Sequence, residues 1–209
     1  ILDSSYWGLM GTNFCKDITL ENCTFSRFDA HQGVQDVTIL DSTLGWQCLN
    51  AIGTGTLRVE NCTLYGNALV NLRGDYGSTW EGDVYIKNCT WVPRRGSTIG
   101  GNAYLINGSY SGFHDFGYEC YMPKSITIDG LYVKDGNHNS SYNGIYLFAN
   151  ITKAYTDAEY EEKVETEGYP YHLTETVTIK KFTSESGKDW LLSPNTYMFR
   201  NVTVIEEDS

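Results

Sequence analysis

Short stretches of alternating apolar and polar residues recur along this chain in a common eight-residue pattern. The first and third positions are apolar, the fifth is usually a turn-forming residue, the sixth is usually apolar or Cys, and the seventh is usually polar. Seven copies are present, at 18–25, 37–44, 57–64, 84–91, 126–133, 177–184 and 197–204. Where the copies lie closest together they are about 20 residues apart, a period that predicts stacked structural repeats.

Each copy is expected to form two short strands joined at a single residue. Ile18 and Leu20 alternate with Thr19 and Glu21, which is the pattern of a strand with one buried face. Asn, Asp or Gly at the joint suits a left-handed backbone conformation that bends the chain without a loop. The joint residues are Asn22, Asp41, Asn61, Asn88, Gly130, Lys181 and Asn201.

About 20 residues are too few for a strand and a crossover helix, so the pattern predicts an all-β parallel solenoid with one repeat per coil. A leucine-rich repeat has a similar period, but its leucine spacing and helical side are missing. Stacking then places the third position of every copy in one inward column: Leu20, Ile39, Val59, Ile86, Ile128, Ile179 and Phe199. The first-position residues Ile18, Val37, Leu57, Val84, Ile126 and Val177 are expected to be buried beside it.

The repeat argues for a single domain over residues 1–209. Residues 1–16 would form an initial rung or cap, and insertions would occupy about 92–125 and 134–176. The first insertion has room for a further rung around 103–106, and the second contains an apolar strand at 145–149 and either a short helix or a solvated loop after Thr156. The chain begins at Ile1 in rung-like sequence, so we expect it to be part of a longer protein or assembly.

Composition narrows the choice of partner. A formal net charge of −11 argues against nucleic acid, which requires a basic face, and no apolar run approaches a membrane span. Cys23, Cys62 and Cys89 share one inward slot and are expected to form a column of buried thiols. No zinc spacing is present; acidic side chains could hold Ca²⁺, but no EF-type spacing supports it, so no cofactor is expected.

A second apolar segment follows each of the early turns, at 28–32, 48–52, 69–73 and 105–107. Aligned with one residue of slack, these segments place four polar residues in one column, namely His31, Asn50, Asn71 and Asn107, with Ala30, Leu49, Val70 and Ile106 on the opposite face. Asp29 lies two residues before His31, and Arg73, Asp75 and Tyr76 follow Asn71. An acid, an imidazole, a guanidinium and a phenol would therefore gather on one lateral face.

That set suits polysaccharide chemistry, with Asp29, His31, Arg73 and Tyr76 as candidate catalytic residues. Arg73 could neutralise a uronate carboxylate while His31 or Tyr76 removes the C5 proton. Alternatively, Asp29 and Asp75 could act as the paired carboxylates of a glycosidase. Candidate substrate-binding residues are Asn50, Asn71, Asp75, Asn107 and His114, the last beside Asp115. A purely structural Asn column, hydrogen-bonded from rung to rung, is the competing interpretation.

The repeated stretches, of which Ile18 to Phe25 is the type, resemble the right-handed parallel β-helix of the pectin-lyase-like superfamily over nearly the whole chain. That resemblance implies a right-handed coil and a place among pectate lyases, polygalacturonases, alginate epimerases and phage tailspikes. Asp29-Ala30-His31 is similar to the Asp-Pro-His motif of the epimerases, with Ala for Pro, whereas the Asp-Asp pair of polygalacturonases is missing. The runs Tyr6–Gly11 and Asp29–Gly33 resemble β-helix domains of bacterial surface and phage tail proteins.

Two functions follow as hypotheses. The first is an extracellular or virion-associated domain that binds or cleaves a polysaccharide or cell-surface glycan on a lateral face, by lyase, epimerase or hydrolase chemistry. The alternative is a non-catalytic structural or receptor-binding module of a phage tail or cell-surface assembly. A solenoid has two ends with unpaired strand edges, so a homotrimer or flanking domains are expected to cover them.

Overall fold

The protein is all-β in every part that the computed structural model describes. The described residues are 1–2, 5–45, 48–72, 80–93, 98–108, 120–149, 171–194 and 199–207, with the backbone alone at 5–7, 9, 120 and 171. Within these residues there is no helix, and none therefore that could span a membrane. The strands are β1 (Ser5–Thr12), β2 (Lys16–Glu21), β3 (Thr24–Leu40), β4 (Thr43–Leu44), β5 (Leu49–Glu60), β6 (Thr63–Tyr65), β7 (Ala68–Leu72), β8 (Trp80–Val92), β9 (Asn102–Gly108), β10 (Cys120–Tyr121), β11 (Ser125–Val133), β12 (Gly144–Phe148), β13 (Tyr171–His172), β14 (Thr176–Ser184), β15 (Trp190–Leu191) and β16 (Thr203–Glu207).

The strands pair in parallel, and their pairings form three ladders. Ladder 1 joins β2 to the later parts of β3 and β5, then to the first part of β8, and on to β11, β14 and β16. Ladder 2 joins the start of β3 to β4, β6 and the ends of β8, β11 and β14. Ladder 3 joins β1, the middle of β3, the start of β5, and then β7, β9, β12 and β15. Successive repeats thus lie side by side.

The register of ladder 1 confirms most of the predicted inward column. Leu20, Ile39, Val59, Ile86, Ile128 and Ile179 pair in succession and are all buried. The first-position residues beside them are buried too, except Ile18, which is only half-buried. Ile18 pairs with Val37 in β3, while on the other edge of β2 the two residues Ile1 and Leu2 pair at Thr19 and Glu21, which leaves Ile18 partly uncovered.

Six of the seven joint residues adopt the left-handed backbone conformation that the sequence predicts, and Asn201 of the last copy does not. The φ angles are 52° at Asn22, 47° at Asp41, 53° at Asn61 and 49° at Asn88, and the conformation continues at Gly130 and Lys181. A Cβ added at Gly130 would lie 2.9 Å from Oδ1 of Asn88, so glycine also relieves crowding against the neighbouring strand β8. Asn and Gly tolerate this conformation best, which explains their repeated use.

The predicted thiol column is confirmed, because Cys23, Cys62 and Cys89 are buried in the slot after the turn. The thiols of Cys62 and Cys89 lie within hydrogen-bond distance of Glu60 and Lys87 carbonyl oxygens, at 3.0 and 3.2 Å. They are free thiols, as are Cys15 and Cys48. Burial raises the pKa of the Cys48 thiol to about 12, so it is inert at neutral pH.

The predicted register of the seventh copy is wrong. Val204, rather than the first residue of that copy, pairs with Val177, and Glu206 pairs with Ile179. Phe199 leaves the predicted column and stacks on Phe148, with ring centroids 4.4 Å apart. The large ring is fully buried there, and the chain then turns before β16 begins, so the strand starts later than the pattern predicts.

Two strands within the predicted insertions are confirmed. Residues 103–106 lie in β9, which pairs with β7, and β12 covers the apolar segment from Ile145 and pairs with β9. Both extend ladder 3. The segment after Thr156, for which a short helix or a loop was predicted, lies outside the described residues.

Replacing Ile86 by Asp is expected to unfold the middle of the stack. Ile86 is 1% exposed, and the change removes an apolar side chain and buries a charge, at a combined cost of roughly 4 kcal/mol or more. Tyr85→Asp is the matched control, because Tyr85 is the adjacent residue and 41% exposed. Urea unfolding followed by circular dichroism measures both. Equal stabilities of the two variants would contradict the assignment of inward and outward faces.

Candidate functional site

The candidate site lies on ladder 3, where four polar residues of β3, β5, β7 and β9 pair in one column. Asp29 pairs with Asn50, Asn50 with Asn71, and Asn71 with Asn107. Asp29 and Asn50 are only 4% and 7% exposed, and the other two are half-buried. The column therefore consists of polar side chains that are largely shielded from solvent.

The predicted place of His31 in this column is wrong by two residues. Phe28 pairs with Leu49, and Leu49 with Val70; all three side chains are fully buried. The apolar residues thus determine the register, and Asp29 rather than His31 meets Asn50. Ala30 correspondingly pairs with Ala51 instead of Leu49. His31 lies two residues further along β3, on the same face as Asp29.

The three asparagines form an amide ladder. Nδ2 of Asn71 donates to Oδ1 of Asn50 at 2.6 Å, and Nδ2 of Asn107 donates to Oδ1 of Asn71 at 3.0 Å. Such a chain satisfies polar groups that are largely shielded from water. This geometry favours the structural interpretation of the column, although its half-buried members can still meet a ligand.

Asp29 is held by Arg27, a residue that the sequence interpretation did not include. Nε and one terminal nitrogen of Arg27 each donate to a different carboxylate oxygen of Asp29, both at 2.6 Å. This bidentate pair is strong and directional. If Asp29 acted as a general base, its carboxylate oxygens would have to accept a proton while they accept hydrogen bonds from the Arg27 guanidinium. The two-residue spacing on one strand face is the signal that could have revealed the pair.

His31 is oriented by Asn13, which lies between β1 and β2. Its Nδ1 lies 2.6 Å from Oδ1 of Asn13, and because an amide oxygen only accepts, Nδ1 carries the proton in this contact. In the neutral ring Nε2 is then the basic nitrogen, the form that a general base requires. Asp29 and His31 thus share a strand face, each with its own polar partner.

The other predicted site residues lie outside the described residues. These are Arg73, Asp75, Tyr76 and His114, together with Asp115 beside the last. Their proposed roles as anion-binding, base or substrate-binding groups stay predictions. Among the described His, Cys, Asp and Glu residues, no group of three gathers as a metal site.

Two tyrosines on the same ladder were missed by the sequence interpretation. Tyr104 of β9 pairs with Tyr146 of β12, and their rings lie 6.1 Å apart, tilted by 42°. The amide of Asn102 donates to the Tyr104 hydroxyl at 3.1 Å. Both side chains are half-buried, and β9 also holds Asn107. The shared position of a tyrosine in two apolar strands is the signal that could have identified them.

A second polar cluster surrounds the fully buried carboxylate of Asp135. It accepts hydrogen bonds from the Tyr142 hydroxyl at 2.8 Å and from the Ser186 hydroxyl and amide at 2.6 and 2.9 Å. Burial, and then the bond to Asp135, raise the pKa of Tyr142 above its usual range. These contacts fasten the segment after β11 to the segment after β14, and they explain the buried charge as structural.

Comparison with known proteins gives a partial similarity to a phage protein. The chain is 32% identical over 98 residues to "Depolymerase, capsule KL64-specific" of Klebsiella phage P510. The match covers 41% of this chain and 10% of the relative's length. No family model matches the chain, and no solved structure matches it significantly.

Replacing Asn71 by Ala tests the amide ladder. The change removes one donor and one acceptor at the centre of the column, so we expect a loss of about 1–3 kcal/mol in the free energy of unfolding. Asn67→Ala is the control, since Asn67 is an exposed turn residue next to the same strand and should change stability by no more than about 0.5 kcal/mol. Chemical denaturation measures both, and equal effects would refute a stabilising role of the ladder.

Tyr142→Phe is expected to make stability less sensitive to alkaline pH. The raised pKa of Tyr142 means that the unfolded chain loses this proton near pH 10 while the native state keeps it. The stabilisation is therefore complete below about pH 10 and falls by about 1.4 kcal/mol per pH unit above it. Unfolding free energies from pH 8 to 11 should decline less steeply in the variant. Parallel declines would contradict the role of Tyr142.

Proposed function

We propose that this chain is a glycan-directed module of a phage tail protein and that it acts on a bacterial surface polysaccharide. The observation that carries the proposal is its local similarity to the capsule-specific depolymerase of a Klebsiella phage. The matched segment is a tenth of that relative, so the proposal concerns the module and not the activity of the whole relative. Its place would be extracellular, on the virion.

The fold we propose for the module is a right-handed parallel β-helix. The three parallel ladders support it, because each repeat contributes a segment to ladders 1, 2 and 3 before the next repeat lies beside it. Right-handedness is the expected hand, since nearly all connections between parallel strands of one sheet are right-handed. A solenoid of this kind offers long flat side faces, which suit an extended polymer.

The outer side of ladder 3 is the proposed glycan-binding face. It presents the amide groups of Asn71 and Asn107 on adjacent strands. Amides can bond sugar hydroxyls in either sense. Asp75 and His114 belong to the same proposal as further binding residues.

Cleavage is proposed as the stronger form of this function, with Asp29, His31, Arg73 and Tyr76 as the catalytic set. The orientation of the His31 ring by Asn13 supports a general-base role. The bidentate contact of Asp29 with Arg27 favours a supporting carboxylate over a freely available one. The alternative is a module that binds the glycan without cleaving it, within a homotrimer or beside flanking domains.

The test is a panel of purified Klebsiella capsular polysaccharides, including KL64, with binding read by surface plasmon resonance. Turnover is read in parallel as absorbance at 235 nm for unsaturated products and as new reducing ends. Binding of at least one capsule supports the proposed function. Turnover that falls at least about 100-fold in His31→Ala, with the fold and binding intact, supports catalysis.

Binding without turnover assigns the module to recognition alone. Failure to bind any capsule, with the protein correctly folded, contradicts the proposed function. Ser26→Ala, a half-buried residue of the same strand whose hydroxyl donates to the carbonyl of Gly8, is the control for nonspecific effects of substitution in β3.

A further inference from the structure

A shallow groove of about 210 Å³ crosses the outer side of ladder 1, away from the candidate site on ladder 3. Its lining comes from two rows of paired residues on three adjacent strands. Arg58, Tyr85 and Thr127 form one row. Glu60, Lys87 and Asp129 form the second. The groove is therefore built from side chains far apart in sequence that the register of β5, β8 and β11 brings together.

The aromatic ring of Tyr85 is the distinctive feature of this groove. Tyr85 is 41% exposed, and the residues at its position in other rungs of ladder 1 are mostly threonines, such as Thr38 and Thr127. A large aromatic side chain in that row gains little from core packing, because the row faces away from the buried column. It does provide a flat apolar surface at the centre of a polar groove.

The charges around Tyr85 are balanced and partly fixed in position. Arg58 contacts Glu60 at 2.7 Å, and Lys181 contacts Asp129 at 3.8 Å. The lining thus holds two cationic and two anionic side chains, Arg58 and Lys87 against Glu60 and Asp129. The carboxylates can accept hydrogen bonds from vicinal hydroxyls, and the guanidinium can donate to ring or hydroxyl oxygens.

We propose that this groove binds one neutral pyranose unit of the polysaccharide, with its C–H face stacked on Tyr85. The inference rests on the proposed function and adds a second contact point to it. The volume is below the roughly 300–1,000 Å³ of a site that encloses a drug-sized ligand, which suits one sugar ring of a longer chain. The two cationic and two anionic side chains of the lining leave no net positive charge to hold a uronate, and the chain's net charge is −11, so a neutral unit fits better.

Tyr85→Ala, Tyr85→Phe and Tyr132→Ala test the groove, with the capsule that the native module binds as the probe. Tyr132 is the matched control, because it is 38% exposed but lies on ladder 2. We expect Tyr85→Ala to weaken binding about tenfold, while Tyr85→Phe and Tyr132→Ala keep the native affinity. The ratio of native to Tyr85→Ala affinity should be the same in 50 and 500 mM NaCl, since stacking of a neutral ring is not screened.

The following results would contradict the inference. Native affinity in Tyr85→Ala removes the groove as a binding site while leaving the proposed function in place. If the ratio falls toward one at high salt, the bound sugar unit is charged and is held by Arg58 or Lys87, which contradicts a neutral unit. If the native module binds no capsule, the proposed function itself fails, and the groove inference fails with it.

Discussion

The whole architecture depends on one residue per repeat that adopts a left-handed backbone conformation. At Asn22, Asp41, Asn61 and Asn88 this residue bends the chain between ladder 1 and ladder 2 without a loop. Because no loop intervenes, the position of one strand determines the position of the next, and the same register is kept from β2 to β14. The aliphatic column, the thiol slot and the side-chain amide contacts at the turn, such as Asn61 to Asp41 at 3.0 Å, all follow from that register.

The sequence was most informative where these turns recur. Alternation on either side of the joint was enough to predict the inward residues of ladder 1 and the slot of the buried cysteines. It failed at the last copy because Phe199 is buried against Phe148, a contact between distant segments that no local pattern records. It also overestimated the burial of Ile18, since alternation indicates which face is inward but not whether another strand covers it.

The candidate site was less predictable because ladder 3 lacks a turn residue that marks the register. The asparagines were aligned correctly with one another, but His31 was aligned in place of Asp29. Burial of Phe28 on Leu49 decided between the two. The contact of Asp135 with Ser186 could not be predicted, because it joins residues 51 apart in sequence, and the contact with Tyr142 lies outside the repeated pattern. Regular stacking thus explains where polar groups can meet, whereas their individual partners depend on packing.

The functional proposal rests on the same stacking, since both the ladder 3 face and the Tyr85 groove exist only if distant repeats lie side by side. The distance between spin labels at Thr19 and Thr178, with exposed Cys15 replaced by Ser, measures this most directly. Both positions face outward in the same row of ladder 1, five strand spacings apart. We expect a narrow distribution of distances, centred at about 24 Å between the two backbone positions once the length of the label side chains is taken into account. A broad distribution, or a centre displaced by two or more strand spacings, would contradict in-register stacking of the repeats.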